Sequence, residues 1–395
     1  MKLIFFLFEF FFCLKYSYLG VTYEGYFKEI NGKDISTSIS ENIQGVKINL
    51  NNGFECALAC LKKPDCYVAT LKNDYCTLIK MCPNSSQYQE NINSILFEKK
   101  IKCTKEHFNL TTTMNLTSHT NTVNSLVVLH NGDMASGSDD KSVKVWDLND
   151  GTIKMTLNGH TGIVWSLAVL ANGDLASGSQ DNTIKIWDSI DGTLKMTLNE
   201  HVWAVRSLAV LHNGDLASCS GDYTIKIWNP QDGTSKMTLN EHTGTVLSIA
   251  VLNNGDLASG SNDLRILIWN LNDGTVKMTL SGHTSTVWSL VVLDNGDLAS
   301  GSQDNTIKIW NSIDGTEKMT LNGHSDTVRS LAVLHNGDLV SGSYDKSVKV
   351  WNLNDGTIKM TLNGHTGEVF SLAVLQNGDL ASGSQDMTIK IWSEF

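Results

Sequence analysis

Seven histidines recur at a fixed interval of 41 residues: His119, His160, His201, His242, His283, His324 and His365. Imidazole is the side chain most often used as a general base or metal ligand near neutral pH. Each of these histidines keeps the same company. In the second copy His160 is followed by Ser177 and Ser179 in LASGS, then by Asp181 and Trp187, and the other copies repeat the set. Seven equivalent constellations read as structural rather than catalytic. A buried Trp N–H, an imidazole and a carboxylate each demand partners and can satisfy one another. The rest of the catalytic search is negative. The chain has no phosphate-binding Gly-rich loop, nucleophile elbow or zinc signature. Its repeated Asn-Gly-Asp carboxylates, such as Asp174, read as turn residues. A weaker reading makes them an acidic ring able to hold calcium. Cys219 replaces a glycine of its repeat and reads as a buried thiol. No cofactor and no metal site is expected.

The elements that position these residues follow from the repeat. Tryptophan keeps the same beat, at Trp146, Trp187, Trp228, Trp269, Trp310, Trp351 and Trp392. A period of about 40–45 residues, with G-H near its start and W-D near its end, is the expected signature of a four-stranded propeller blade. In the second copy VWSLAVL is an apolar strand. Asn172-Gly173 suits a type I′ turn, LASGS is a strand of small residues, TIKIW alternates, and TLKMTL is a fourth strand after Asp191-Gly192. One blade cannot bury both faces, so the copies must stack around an axis. The last copy ends just past Trp392 and lacks its fourth strand. Residues 111–116, TTTMNL, align with that strand and are expected to close the ring. The expected architecture is all-β, a seven-bladed propeller over 111–395, behind a small α+β domain rich in disulfides.

The pattern resembles the WD-repeat family over residues 111–395. The resemblance implies a buried tetrad of His, Ser or Thr, Asp and Trp in each blade. Here the tetrads are expected as His160, Ser179, Asp181 and Trp187, and as His283, Ser302, Asp304 and Trp310. Ser177 shares the parity of Ser179 and is the alternative hydroxyl. The family's terminal W-D pair survives only at Trp146-Asp147 and Trp187-Asp188. Three positions vary where the framework does not. Five after each histidine stand Asn124, Trp165, Arg206, Leu247, Trp288, Arg329 and Phe370. Three after it stand residues such as Ile163 and Glu368. Before the tetrad Asp stand residues such as Asp139, Gln180 and Tyr344. The resemblance implies that all three lie on the top face around the central channel, where partners dock. Trp, Arg and Tyr are also the residues that dominate hot spots. Trp165, Arg206, Leu247, Trp288, Arg329, Phe370, Ile163 and Tyr344 are therefore the candidate partner-binding residues. Drift at tolerant sites is the bland alternative, but drift favours small polar residues, and exposed Trp and Phe cost solubility. The order x-Trp-Arg in blades 1–3 and 4–6 suggests duplication of a three-blade unit.

Residues 1–20 read as a secretory signal peptide, Met1-Lys2 followed by LIFFLFEFFFCL, interrupted by Glu9. Six of the eight cysteines fall between Cys56 and Cys103. Such crowding implies a disulfide framework and an oxidising compartment. Cys56 and Cys60 are four apart, which puts both on one face of a helix ending before Pro64. YVATL and CTLI read as strands around Asn73-Asp74. The sequons Asn84-Ser-Ser, Asn109-Leu-Thr and Asn115-Leu-Thr agree with secretion. Residues 21–103 resemble a PAN/apple module, and 104–110 read as a linker. The resemblance implies binding of protein or carbohydrate, with Cys56–Cys76, Cys60–Cys66 and Cys82–Cys103 as the expected pairing. Zinc is the weaker reading, because no paired C-x2-C knuckles are present.

Residues 120–395 hold 17 Lys/Arg against 30 Asp/Glu. So acidic a propeller argues against nucleic acid as a partner, and no apolar stretch suits a membrane span. The expected function is a secreted or cell-surface recognition protein that binds a protein or glycan without catalysis. An intracellular scaffold is the first alternative. An enzyme with a site in the channel is the second, and it would need a convergent acid–base pair.

Overall fold

The computed structural model describes residues 112–393 throughout and, before them, four strands. The chain divides into two units, 1–108 and 109–395. In the first, β1 (Cys56–Cys60), β2 (Cys66–Lys72), β3 (Tyr75–Met81) and β4 (Ile101–Lys102) form one antiparallel sheet in that order. The hairpin around Asn73-Asp74 is as expected. The helix over Cys56 and Cys60 is not, because that segment is a strand. A run this short is marginal as a helix, since isolated helices need roughly 12–15 residues. Its backbone groups are instead satisfied on the edge of the hairpin. The register sets Cys60 opposite Cys66. β2 separates Cys56 from Cys76, so the expected Cys56–Cys76 pair sits on strands that do not adjoin. The signal segment 1–20, Cys82, Cys103, Asn84 and Asn109 lie outside the described residues. Among the described residues no helix is long and apolar enough to cross a membrane.

The second unit is seven four-stranded antiparallel sheets. Blade 2 is typical, with an inner strand Val164–Val169, a second Leu175–Ser179, a third Ile184–Trp187 and an outer Leu194–Leu198. Inner strands of successive blades adjoin, so they line the central channel. The second strand is buried along its whole length, because blades cover both of its faces, and LASGS supplies side chains small enough for that. The core lies between blades rather than within them. Ala168, Leu170 and Ile186 of blade 2 pack with Val205, Leu216 and Trp228 of blade 3.

The stacking is tight. A Cβ on Gly178 would stand 2.7 Å from Cγ1 of Val205. Blade 3 has Cys219 in that place, fully buried and unpaired. Burial pushes its thiol pKa far above the ordinary range, and the thiolate is the reactive form. Cys219 is therefore expected to resist iodoacetamide at pH 8 in the folded chain and to react once it is unfolded. Labelling of the folded chain, read by peptide mass, would contradict this packing.

The Asn-Gly hairpins differ from the expected type I′ turn. Gly173 donates to Leu170 O and Leu170 donates to Asp174 O, which encloses a three-residue loop. Only the glycine has positive φ, +88°. A type I′ turn needs two such residues, whereas a type I turn followed by one glycine in the left-handed region needs one.

The ring closes as expected. β5 (Thr112–Leu116) pairs with the third strand of blade 7, Ile389–Trp392, in the register Ile389↔Leu116. Leu116 is buried, and Asn115 is exposed on this outer strand. Strand direction sorts the loops. The histidine loops and the turns before the third strands share one end of the ring. The Asn-Gly and Asp-Gly turns share the other.

Candidate binding face at the channel mouth

Each histidine is locked. In blade 2, His160 Nδ1 meets Asp181 Oδ2 at 2.8 Å and Nε2 meets Ser177 Oγ at 2.7 Å. Trp187 Nε1 donates to the same Ser177 Oγ at 2.8 Å. The tetrad hydroxyl is thus Ser177, not the expected Ser179, and in blade 5 it is Ser300, not Ser302. Both candidates of each pair are fully buried on the same side of the strand. Ser179 lies at the turn, where its Oγ accepts the Asp181 backbone N–H. Ser302 does the same for Asp304 and donates to Ser285 O. Only the deeper serine lies within reach of the indole.

The tetrad carboxylates are strongly held. Burial would raise the Asp181 pKa, but hydrogen bonds from His160 and Thr183 outweigh it and hold the group well below the usual carboxylate range. All seven tetrad aspartates behave alike. In blade 4 an arginine joins the network, with Arg265 Nη2 at 2.9 Å from Asp263 Oδ2. Among the described residues no group of three or more His, Cys, Asp or Glu could hold a metal.

The far end carries ion pairs. Lys195 Nζ lies 2.7 Å from Asp174 and 2.8 Å from Asp188, and its pKa is pushed up to about 12 by hydrogen bonds to the two carboxylates. Lysine pairs with the Asn-Gly-Asp carboxylate in blades 1 to 6. An ammonium holds the place that the calcium reading would need.

The histidine end is different. In every blade the inner strand carries a β-bulge just after its first residue. The extra residue is the one five after the histidine. A bulge re-aims a side chain and is enriched next to functional sites. In blade 2, Val164 packs on Gly137 of the preceding blade, while Ser166 Oγ accepts Leu208 N–H of the following one. Trp165 between them is left for the channel.

The bulge residues interact around the ring. The Arg206 guanidinium lies 4.6 Å from the Trp165 ring centre, and Arg329 lies 4.4 Å from that of Trp288. Arg329 also lies 5.5 Å from Phe370, which packs on Tyr344 at 5.3 Å. All six side chains are half-buried. Burial lowers the pKa of Arg329, the charge of Arg206 adds to this, and Tyr344 opposes it. Burial raises the Tyr344 pKa and Glu368 adds to it, against the pull of Arg329.

Four buried donors have no acceptor: Arg206 Nε, Arg329 Nε, Trp165 Nε1 and Trp288 Nε1. Leu247 is buried and Ile163 half-buried. Asn124 is also buried; its Nδ2 donates to Asp139 at 2.7 Å and to Val164 O, while its Oδ1 has no partner. Gln180, Asn262, Gln303 and Gln385 are exposed.

One cluster escapes a comparison confined to those three positions. Val202 and Trp203, one and two after His201, are 69% and 59% exposed, and Tyr223 is 42% exposed. The Trp203 and Tyr223 rings meet edge to face at 6.4 Å. The signal was present, since Trp203 stands where the other copies have Asn, Gly, Ser or Asp. Gly221 fits the same cluster. A Cβ there would lie 3.3 Å from Trp203 Cβ, so the missing side chain makes room for the indole.

These features define a class, a seven-bladed β-propeller with a hydrogen-bonded tetrad in every blade. The chain belongs to the WD40 family (WD domain, G-beta repeat), whose model matches residues 110–147, 151–188, 192–229, 233–270, 274–311, 315–352 and 356–393. The crystal structure of the WD40 beta propeller domain of Doa1 is similar, with a TM-score of 0.67 at 27% identity, over 72% of this chain and 96% of that one. No curated protein matches the chain. Propellers of this family are protein-interaction scaffolds and typically non-catalytic. The matches start at residue 110, so they lend nothing to the apple-like resemblance of 21–103.

Proposed function

We propose that this protein is a recognition protein that binds a protein partner at the histidine end of the propeller channel. The observation that carries this reading is the set of bulge positions. They bring Trp165, Arg206, Trp288, Arg329 and Phe370 to one ring with four donors unpaired. Trp and Arg are the residue types that dominate binding hot spots, and buried donors without acceptors, which cost about 1–3 kcal/mol each, are unusual enough to call for a functional reason. The test is a quadruple variant, W165A/R206A/W288A/R329A, used as bait beside the unaltered chain. Proteins captured by the unaltered chain are expected to be lost from the variant, with the far-UV spectrum unchanged, because none of the four belongs to a tetrad. Equal capture would end the reading.

We further propose that the protein works outside the cytosol, secreted or on the cell surface, with the N-terminal cysteine-rich region as a second contact for protein or glycan. The signal-like start, the clustered cysteines and the exposed Asn115 sequon support this. Expression in secretory eukaryotic cells, followed by intact mass with and without glycosidase and reductant, decides it. A shortened, glycosylated, oxidised product in the medium is expected. An intact, reduced product in the cytosol would establish the intracellular alternative.

A further inference from the structure

The chain has only three arginines, Arg206, Arg265 and Arg329. Arg265 is consumed by its ion pair with Asp263. Arg206 and Arg329 have no carboxylate within 4 Å among the described residues. Each is stacked on the tryptophan of the preceding blade, each has a buried Nε without an acceptor, and the charge of Arg206 is felt at Arg329. They stand three blades apart in a ring of seven, nearly opposite across the channel.

Desolvated guanidiniums held over indoles lose little freedom on binding and present a fork suited to carboxylate or phosphate. Asp139 accepts from Asn124 and forms no ion pair with either arginine. The rest of the propeller is acidic, and unlike the exposed turn lysines Lys141 and Lys346 this pair is half-buried at the bulge positions.

The surroundings of the two arginines differ. Beside Arg206, blade 3 carries Val202, Trp203 and Tyr223. The equivalent residues of blade 6 are Ser325, Asp326 and Lys346. An otherwise two-fold arrangement therefore has an aromatic side and a polar side.

We propose that Arg206 and Arg329 together clamp one anionic side chain, phosphorylated or carboxylic, of an extended segment of a protein partner, and that the Val202–Trp203–Tyr223 shelf takes an apolar residue of the same segment and fixes its direction. This rests on the channel mouth being the binding face. The segment lies across the mouth, with its charged side chain on the axis and its apolar residue over blade 3.

The full chain is tested against three degenerate peptide pools, identical except for a central phosphoserine, glutamate or serine. Retention of either anionic pool at least 10-fold above the serine pool is expected, with aromatic or aliphatic residues enriched at one fixed offset on one side only. R206Q and R329Q should each lose this preference. W203A should lose the offset enrichment but keep the charge preference. Inorganic phosphate alone, followed by indole fluorescence, should bind at least 10-fold more weakly than the better pool. Equal retention of all three pools would overturn the clamp. If those pools still depended on the four channel side chains, the binding face would stand without it. Enrichment on both sides, or none, would overturn the shelf. Phosphate binding as tightly as the pools would overturn the peptide as ligand.

Discussion

Replacing Asp181 with alanine is expected to destabilise the propeller by about 3 kcal/mol or more, because four donors lose their acceptor at once. Oδ2 takes His160 Nδ1 and the Thr161 N–H, while Oδ1 takes the Thr183 N–H and hydroxyl. For a domain of this size that corresponds to a fall in melting temperature of roughly 6–12 °C. Ser177→Ala strands both His160 Nε2 and Trp187 Nε1. Ser179→Ala strands one backbone N–H, so it should cost about half as much. Calorimetry of the three variants ranks them. A larger loss for Ser179→Ala than for Ser177→Ala would reverse the assignment of the tetrad hydroxyl.

The same network fixes the acid response. The tetrad aspartates have folded pKa values below their unfolded value of about 4. Their contribution is therefore complete above that pH and is lost as pH falls from there toward the folded values. Each depressed carboxylate adds a slope of up to about 1.4 kcal/mol per pH unit below pH ~4. Asp181→Asn should be less stable than the parent at pH 7 yet lose stability less steeply in acid. Parallel curves for the two chains between pH 2 and 4 would remove the carboxylate from the acid transition.

The sequence made the propeller legible because every rule was stated seven times. The 41-residue beat located each histidine, aspartate and tryptophan, and the missing last strand pointed to residues 111–116. What depended on depth within a blade was not legible. Ser177 and Ser179 share a strand face and full burial, and only the reach of the indole separates them. Asn-Gly serves two hairpin geometries, and loop length, set by the flanking pairing, chose between them. Cys56 and Cys60 fit a helical spacing equally well as a strand, and the neighbouring hairpin decided. At the channel mouth the variable residues were visible. The bulge that aims them was not, because it arises from Val164 and Ser166 packing on different blades. Trp203 was legible in principle, as a lone aromatic at an otherwise small or polar position.

The weak seam of the ring is where the chain's sequence is least continuous. In blades 1 to 6 the outer strand is joined to the third by a short turn, such as the one around Gly192. In blade 7 the outer strand is β5, and Asn115 and Lys390 meet across 275 residues. β5 is held to the propeller covalently only at its C-terminal end, by residues 117–122 leading to the inner strand of blade 1 (Val123–Val128). The outer strands of blades 1 to 6 are tethered at both ends, so β5 is the freest of the seven to leave. Leu116 in β5 and Leu157 in the outer strand of blade 1 are equally buried, at 3% and 4%. A carboxylate at either site costs several kcal/mol of desolvation. The consequences should differ. Leu157→Asp loosens a strand that its turn keeps in place. Leu116→Asp should release β5 and bare the edge of Ile389–Trp392, whose unpaired backbone groups template pairing with another chain. Light scattering after size exclusion should therefore show Leu116→Asp assembling beyond the parent's own oligomeric state, increasingly so with concentration, while Leu157→Asp does not. If the two variants assemble alike, burial rather than closure governs the edge, and the ring has no preferred point of opening.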